Sequence, residues 1–99
     1  MKTQYTPGPW AVEENSSPPL IWGNDYEKPI AEVELHRSYA DYKDGEVQAN
    51  ARLIAAAPDL LDACYQLIYA LMYDDEEELN NGMISARDAI TKATGEADE

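Results

Sequence analysis

From Asp59 onward, apolar residues recur at Leu60, Leu61, Cys64, Leu67, Ile68, Leu71 and Met72, at spacings of three, four and seven that place them on one side of an α-helix. A chain of 99 residues has room for one modest core, so its other elements must be arranged around this segment. Pro58 lacks a backbone N–H and disfavours helical geometry at Ala57; it therefore opens the helix in its first turn rather than sitting inside a longer one. Asp59 then falls where the helix dipole favours a negative charge. Upstream, Glu46 to Ala56 reads as a separate short helix of strong helix formers, with Val47, Asn50 or Ala51, and Ile54 on one side. Its end, Ala55-Ala-Ala57, has almost no side-chain bulk, which either admits close approach of another backbone or simply reflects helix propensity.

The first third of the chain has a different period. Met1 to Gly8 leads into Pro9 without periodicity and reads as an extended arm. Trp10-Ala-Val-Glu-Glu14 alternates, with Trp10 and Val12 on one face, and Asn15-Ser-Ser-Pro-Pro19 supplies a turn before Leu20-Ile-Trp22. Gly23-Asn-Asp25 turns the chain again. Ile30 to His36 then places Ala31, Val33 and Leu35 on one face of a third strand. In a chain without phenylalanine, Trp10 and Trp22 are the bulky residues expected between sheet and helix; the functional alternative is a stacking platform for a flat ligand.

Beyond Met72, Asp74 or Asp75 can cap a third helix whose first turn is acidic. Leu79, Met83, Ala86, Ile90 and Ala93 keep helical spacing and define an apolar seam for antiparallel packing on the preceding helix. Asn80-Asn-Gly82 weakens the helix locally and can break it into two pieces, and Gly95 stops it. The expected fold class is α+β: a small antiparallel sheet of about three strands followed by two or three packed α-helices. The expected organisation is one domain over 1–99, with an arm at 1–8, a β-meander at 9–36, a helical part at 46–94 and a frayed tail at 96–99.

Three stretches carry a resemblance. Thr6-Pro-Gly-Pro-Trp10, Asn50-Ala-Arg-Leu-Ile-Ala-Ala-Ala-Pro-Asp-Leu-Leu61 and Ala86-Arg-Asp-Ala-Ile-Thr-Lys-Ala-Thr-Gly95 resemble a family of small bacteriophage and prophage proteins. The resemblance implies an accessory protein working in the cytoplasm of the bacterial host. It transfers no catalytic or binding residues.

Chemistry is constrained mainly by charge. Twenty acidic against seven basic residues give −13, which repels nucleic-acid phosphates and anionic membranes, so neither direct nucleic-acid binding nor membrane association is expected. The same charge either attracts a basic protein surface or merely keeps a small protein soluble. Met1 to Trp10 lacks the basic start and apolar run of a signal peptide, and no stretch is as long as a membrane span. The single cysteine excludes an internal disulfide, and Cys64, on the apolar stripe, is expected as a small buried hydrophobe. No phosphate loop, metal-ligand spacing or nucleophile elbow is visible, so no enzyme activity, catalytic residue, metal or cofactor is expected.

Two surfaces are candidates for binding. Tyr65, Tyr69 and Tyr73 lie four residues apart along the polar edge of the central helix and run into Asp74, Asp75, Glu76, Glu77 and Glu78. An aromatic stripe beside charges suits contact with a basic host protein, as a counter-defence inhibitor would make; alternatively the rings cover the core boundary and the acids serve the helix dipole. The second surface is the loop holding Arg37, Tyr39, Tyr42 and Lys43, the best contacts available to a nucleotide signal sequestered between subunits. A marginal core would also favour a homo-oligomer, formed through an apolar or tyrosine-rich helix face.

Overall fold

The structure, a computed structural model, describes residues 4–34 and 45–96. Three short strands, β1 (Ala11–Glu13), β2 (Leu20–Trp22) and β3 (Pro29–Glu32), form an antiparallel sheet in the order β1-β2-β3. Three helices follow, α1 (Glu46–Ala55), α2 (Ala57–Met72) and α3 (Glu76–Thr94), which gives the α+β class expected from the sequence.

Pairing of Val12 with Ile21 and of Ile21 with Ala31 sets the register, and a bulge at Ile21/Trp22 brings Trp22 opposite Pro29. Pro29 lies in an edge strand, where a missing N–H is tolerated. Because side chains alternate, Val12 and Ile21 face the helices and Trp22 faces away. Ile21, fully buried, packs with Val33, Ala51 and Ala55, and Trp10, Val12, Ile30, Ala31 and Val47 surround this cluster. The expectation for the tryptophans therefore holds for Trp10 and is corrected for Trp22. Trp22 stacks on Tyr26, with ring centroids 6.1 Å apart, and its Nε1 donates to Glu13 Oε1.

Helix α1 covers the sheet because alanines at 51 and 55 let it lie close, and both are completely buried. Arg52, on the same helix, reaches back to the strand segment with a forked ion pair: Nη2 donates to Glu14 Oε1 at 2.9 Å and Nε donates to Oε2 at 3.2 Å. At Ala56 the helix ends and α2 begins, with Pro58 in the first turn as its chemistry requires. Ala55 and Ala56 are buried while Ala57 is exposed, so two members of the alanine run are used for close packing. Gly8 of the arm sits against Pro58; a Cβ at Gly8 would stand 2.7 Å from Pro58 Cβ.

Helix α3 runs unbroken through Asn80-Asn-Gly82 and is not broken into two pieces there. Gly82 is buried against Leu67 of α2, and packing outweighs its roughly 1 kcal/mol helix penalty. Gly95 caps α3 with φ of 72°, a left-handed conformation that suits glycine. Helices α2 and α3 form a long antiparallel hairpin that packs on α1 rather than on the sheet. The molecule is elongated as a result, at 50 × 33 × 20 Å.

Candidate interaction surface

The seam of the hairpin is built from small residues. Ala63 and Ala70 on α2, with Gly82, Ala89 and Ala93 on α3, are the buried positions where the two helices meet, and Leu67 inserts over Gly82. Small side chains let helices approach closely, so this seam displaces the large apolar residues to its flank. Met83 and Ile90, expected in the seam, are 55% and 54% exposed. On α2, Ile68, Leu71 and Met72 are 55%, 69% and 71% exposed, and Cys64 is exposed instead of buried. The seam selects residues by size, whereas the sequence pattern ranks them by hydropathy.

The hairpin consequently has two unlike sides. One side is polar: Asp59, Asp62, Gln66, Ser85, Asp88 and Lys92 line a shallow groove over Ala63 and Ala89. Lys92 Nζ donates to Asp59 Oδ2, and Gln66 Nε2 donates to Glu78 Oε1 at 2.6 Å, tying the helices across this groove. Beside Asp62 and Gln66, at helical spacing, stand Tyr65, Tyr69 and Tyr73, which are 58%, 55% and 65% exposed. The Tyr69 and Tyr73 rings pack together with centroids 4.6 Å apart. The stripe expected from the sequence is thus assembled on one edge with most of its ring surface open to solvent.

The acidic run forms the turn at the end of this stripe, and its members have different surroundings. Asp75 is the N-cap of α3, its Oδ1 accepting from the Glu78 backbone N–H at 3.0 Å. Its own backbone N–H donates to the Ala70 carbonyl at 2.9 Å, closing the turn. Asp74 adopts φ of 53°, a left-handed conformation that aspartate tolerates better than most residues. Glu78 is half-buried by its bond to Gln66. Among the described residues, no hydrogen bond or ion pair engages the side chains of Asp74, Glu76 or Glu77, and all three are exposed. Capping accounts for Asp75 and helix tethering for Glu78; the other three charges are directed to solvent.

The second candidate surface, with Arg37, Tyr39, Tyr42 and Lys43, lies outside the described residues, as does His36. No group of three or more His, Cys, Asp or Glu side chains is arranged to hold a metal ion among the described residues. No helix there is long and apolar enough to cross a membrane.

The other side of the hairpin is apolar, the kind of helix face expected from the sequence to favour self-association, although no residues of it are named there. Leu67, Met83, Ala86, Arg87, Ile90, Thr91, Thr94 and Glu96 line a groove there, flanked by Cys64 and Leu71 at helical spacing from Leu67, with Ile68 at helical spacing from both of these. The signal was available: α2 carries more apolar positions than one partner helix can cover.

A family model described as Salmonella phage P22 protein Y8K6 matches residues 1–97. No curated protein and no solved structure matches the chain.

Proposed function

Since the chain belongs to the family of Salmonella phage P22 protein Y8K6, a phage protein family, we propose that it is a non-enzymatic accessory protein of the infected cell's cytoplasm that docks on a basic host protein. The docking surface is the tyrosine edge of the hairpin together with its acidic turn. One observation carries this reading: three half-exposed tyrosines form a continuous edge ending at Asp74, Glu76 and Glu77, whose charges serve no contact among the described residues. Tyrosine offers a large, stiff contact area with a polar tip, and aromatic anchors beside charges are the usual centres of binding energy. The net charge of −13 steers a basic partner toward the molecule from a distance, and the tyrosines supply the short-range fit that charge alone lacks. Inhibition of a host defence protein is one activity such docking would serve.

The test uses a variant that spares the structural acids: Asp74→Asn, Glu76→Gln and Glu77→Gln, leaving Asp75 and Glu78 in place. Wild type and variant are used to capture proteins from a bacterial lysate at low and high salt, with identification by mass spectrometry. Wild type should retain a basic protein at low salt and lose it as salt rises, because exposed charges are screened beyond about 8 to 10 Å at physiological ionic strength. The variant should retain little of it at any salt, and so should Tyr69→Ala. Equal retention of the same protein by the charge variant at low salt would leave the acids as solubilising groups and remove this reading.

A further inference from the structure

The apolar side of the hairpin has no cover in the single chain. Leu61, Ile68, Leu71 and Met72 on α2, with Met83 and Ile90 on α3, are between 36% and 71% exposed and contiguous by helical spacing. A monomeric protein rarely leaves an apolar patch of more than a few hundred Å² open to water. We propose that a second copy of this chain covers this side, the two hairpins closing face to face into a four-helix bundle. The proposal does not depend on the basic partner, because it rests on these apolar residues and on none of the acidic ones.

Three observations select a second copy as the occupant. The first is charge. Two chains of −13 repel one another, and they approach at least cost where the surface is neutral. The groove on this side contains two charged residues, Arg87 and Glu96, of opposite sign, whereas the polar side contains Asp59, Asp62 and Asp88 against one lysine. A basic partner would have no reason to prefer the neutral side.

The second observation is size. At 1.5 Å per residue, 16-residue α2 gives a face about 24 Å long, and two helices side by side are roughly 20 Å wide. Its flat footprint is about 480 Å², and corrugation by side chains raises the accessible area toward the ~800 Å² per partner of an ordinary stable interface. The third observation is the thinness of the chain's own core. Ile21 is the one large side chain fully buried among the described residues, and it lies between the sheet and α1, away from the hairpin. Facing rows of leucine, isoleucine and methionine from two copies would give the hairpin the large-residue core that its alanine seam lacks. A two-fold arrangement makes the contact self-complementary, so association closes at two chains.

Cys64 reports on this directly. It is the only cysteine in the sequence, it is exposed in the single chain, and it lies three residues from both Leu61 and Leu67 on the apolar side. Sedimentation velocity of the full chain, from about 1 to several hundred micromolar, should show monomer giving way to a two-chain species by mass action. Over the same range the alkylation rate of Cys64 should fall about tenfold as pairing removes the free face. Ile68→Glu and Met83→Glu, at exposed positions that leave each fold intact by circular dichroism, should each abolish both effects. Tyr69→Asp, on the other edge, should abolish neither. A monomer at every concentration would overturn the proposal, as would a particle larger than two chains. So would a dimer in which Cys64 stays fully reactive, or one that survives Ile68→Glu and Met83→Glu.

Discussion

The close approach of α2 and α3 at Gly82 makes a prediction whose sign depends on the neighbour. Replacing a glycine inside a helix with alanine ordinarily stabilises it by about 1 kcal/mol. Here a Cβ at position 82 would stand 2.9 Å from Leu67 Cδ2, 3.1 Å from Leu67 Cγ and 3.4 Å from the Leu67 backbone nitrogen. The first two atoms must move, and overpacking of this kind costs about 1 to 3 kcal/mol. Gly82→Ala should therefore be neutral or destabilising by up to about 2 kcal/mol in the wild type. Leu67 is half-buried, so Leu67→Ala should cost about 1 to 3 kcal/mol, at the low end of the range for a truncated leucine. In that background the side-chain obstacle is gone, and Gly82→Ala should now stabilise by about 1 kcal/mol. The coupling between the two sites is then about 1 to 3 kcal/mol, well above the ~0.5 kcal/mol within which distant sites add. Urea denaturation followed by circular dichroism measures all four proteins, at one fixed protein concentration because any association would shift the midpoints. Stabilisation by about 1 kcal/mol in both backgrounds would refute the close seam and with it the displacement of the large residues to the flank.

Two further outcomes test the frame that holds the hairpin. Arg52→Lys keeps the charge but loses the fork to Glu14, and should cost about 0.5 to 1 kcal/mol at low salt and less at high salt; no change at low salt would mean that the pair contributes nothing. Asp75→Ala should cost about 1 kcal/mol by uncapping α3, and Asp75→Asn should restore most of it, since asparagine also accepts from the Glu78 N–H; urea midpoints of the two variants separate capping from charge.

The positions of the elements were legible in the sequence, while the faces they bury were only partly so. Pro58, Asp75 and Gly95 punctuate the helices where their backbone chemistry requires, so α2 and α3 start and stop where expected. Hydropathy alone puts Met83 and Ile90 in the seam and Cys64 in the core. The structure differs because hydropathy ranks leucine and methionine above alanine, whereas two helices in close contact rank by volume. Ala63, Ala70, Gly82 and Ala89 were visible as a row of small residues, but such a row is also what helix propensity produces. In the sheet, period two admits either Ile21 or Trp22 on the inner face, and bulk wrongly favours Trp22. Pairing of Ile21 with both Val12 and Ala31 decided it. The tyrosine edge was legible because its members share one residue type and one spacing, and the differing surroundings of Asp74 to Glu78 were not, because they depend on which backbone N–H each carboxylate reaches.

The two sides of the hairpin have one origin, and their proposed uses support each other. A seam of alanine and glycine draws α2 and α3 together and leaves each helix with more surface than its neighbour covers, which the sequence fills with large apolar residues on one side and with acids and tyrosines on the other. With −13 on each chain, a surface bearing unpaired carboxylates is a costly place for self-association, so the charge that would attract a basic partner also favours the proposed pairing through the less charged apolar side. Pairing through the apolar side would turn both tyrosine edges outward on a single particle. A partner with repeated basic sites could then engage both at once, gaining avidity without any new contact, provided the spacing of its sites matched. Loss of pairing in Ile68→Glu should therefore weaken capture of such a partner although Ile68 never touches it, while a partner with a single site should bind that variant as tightly as wild type.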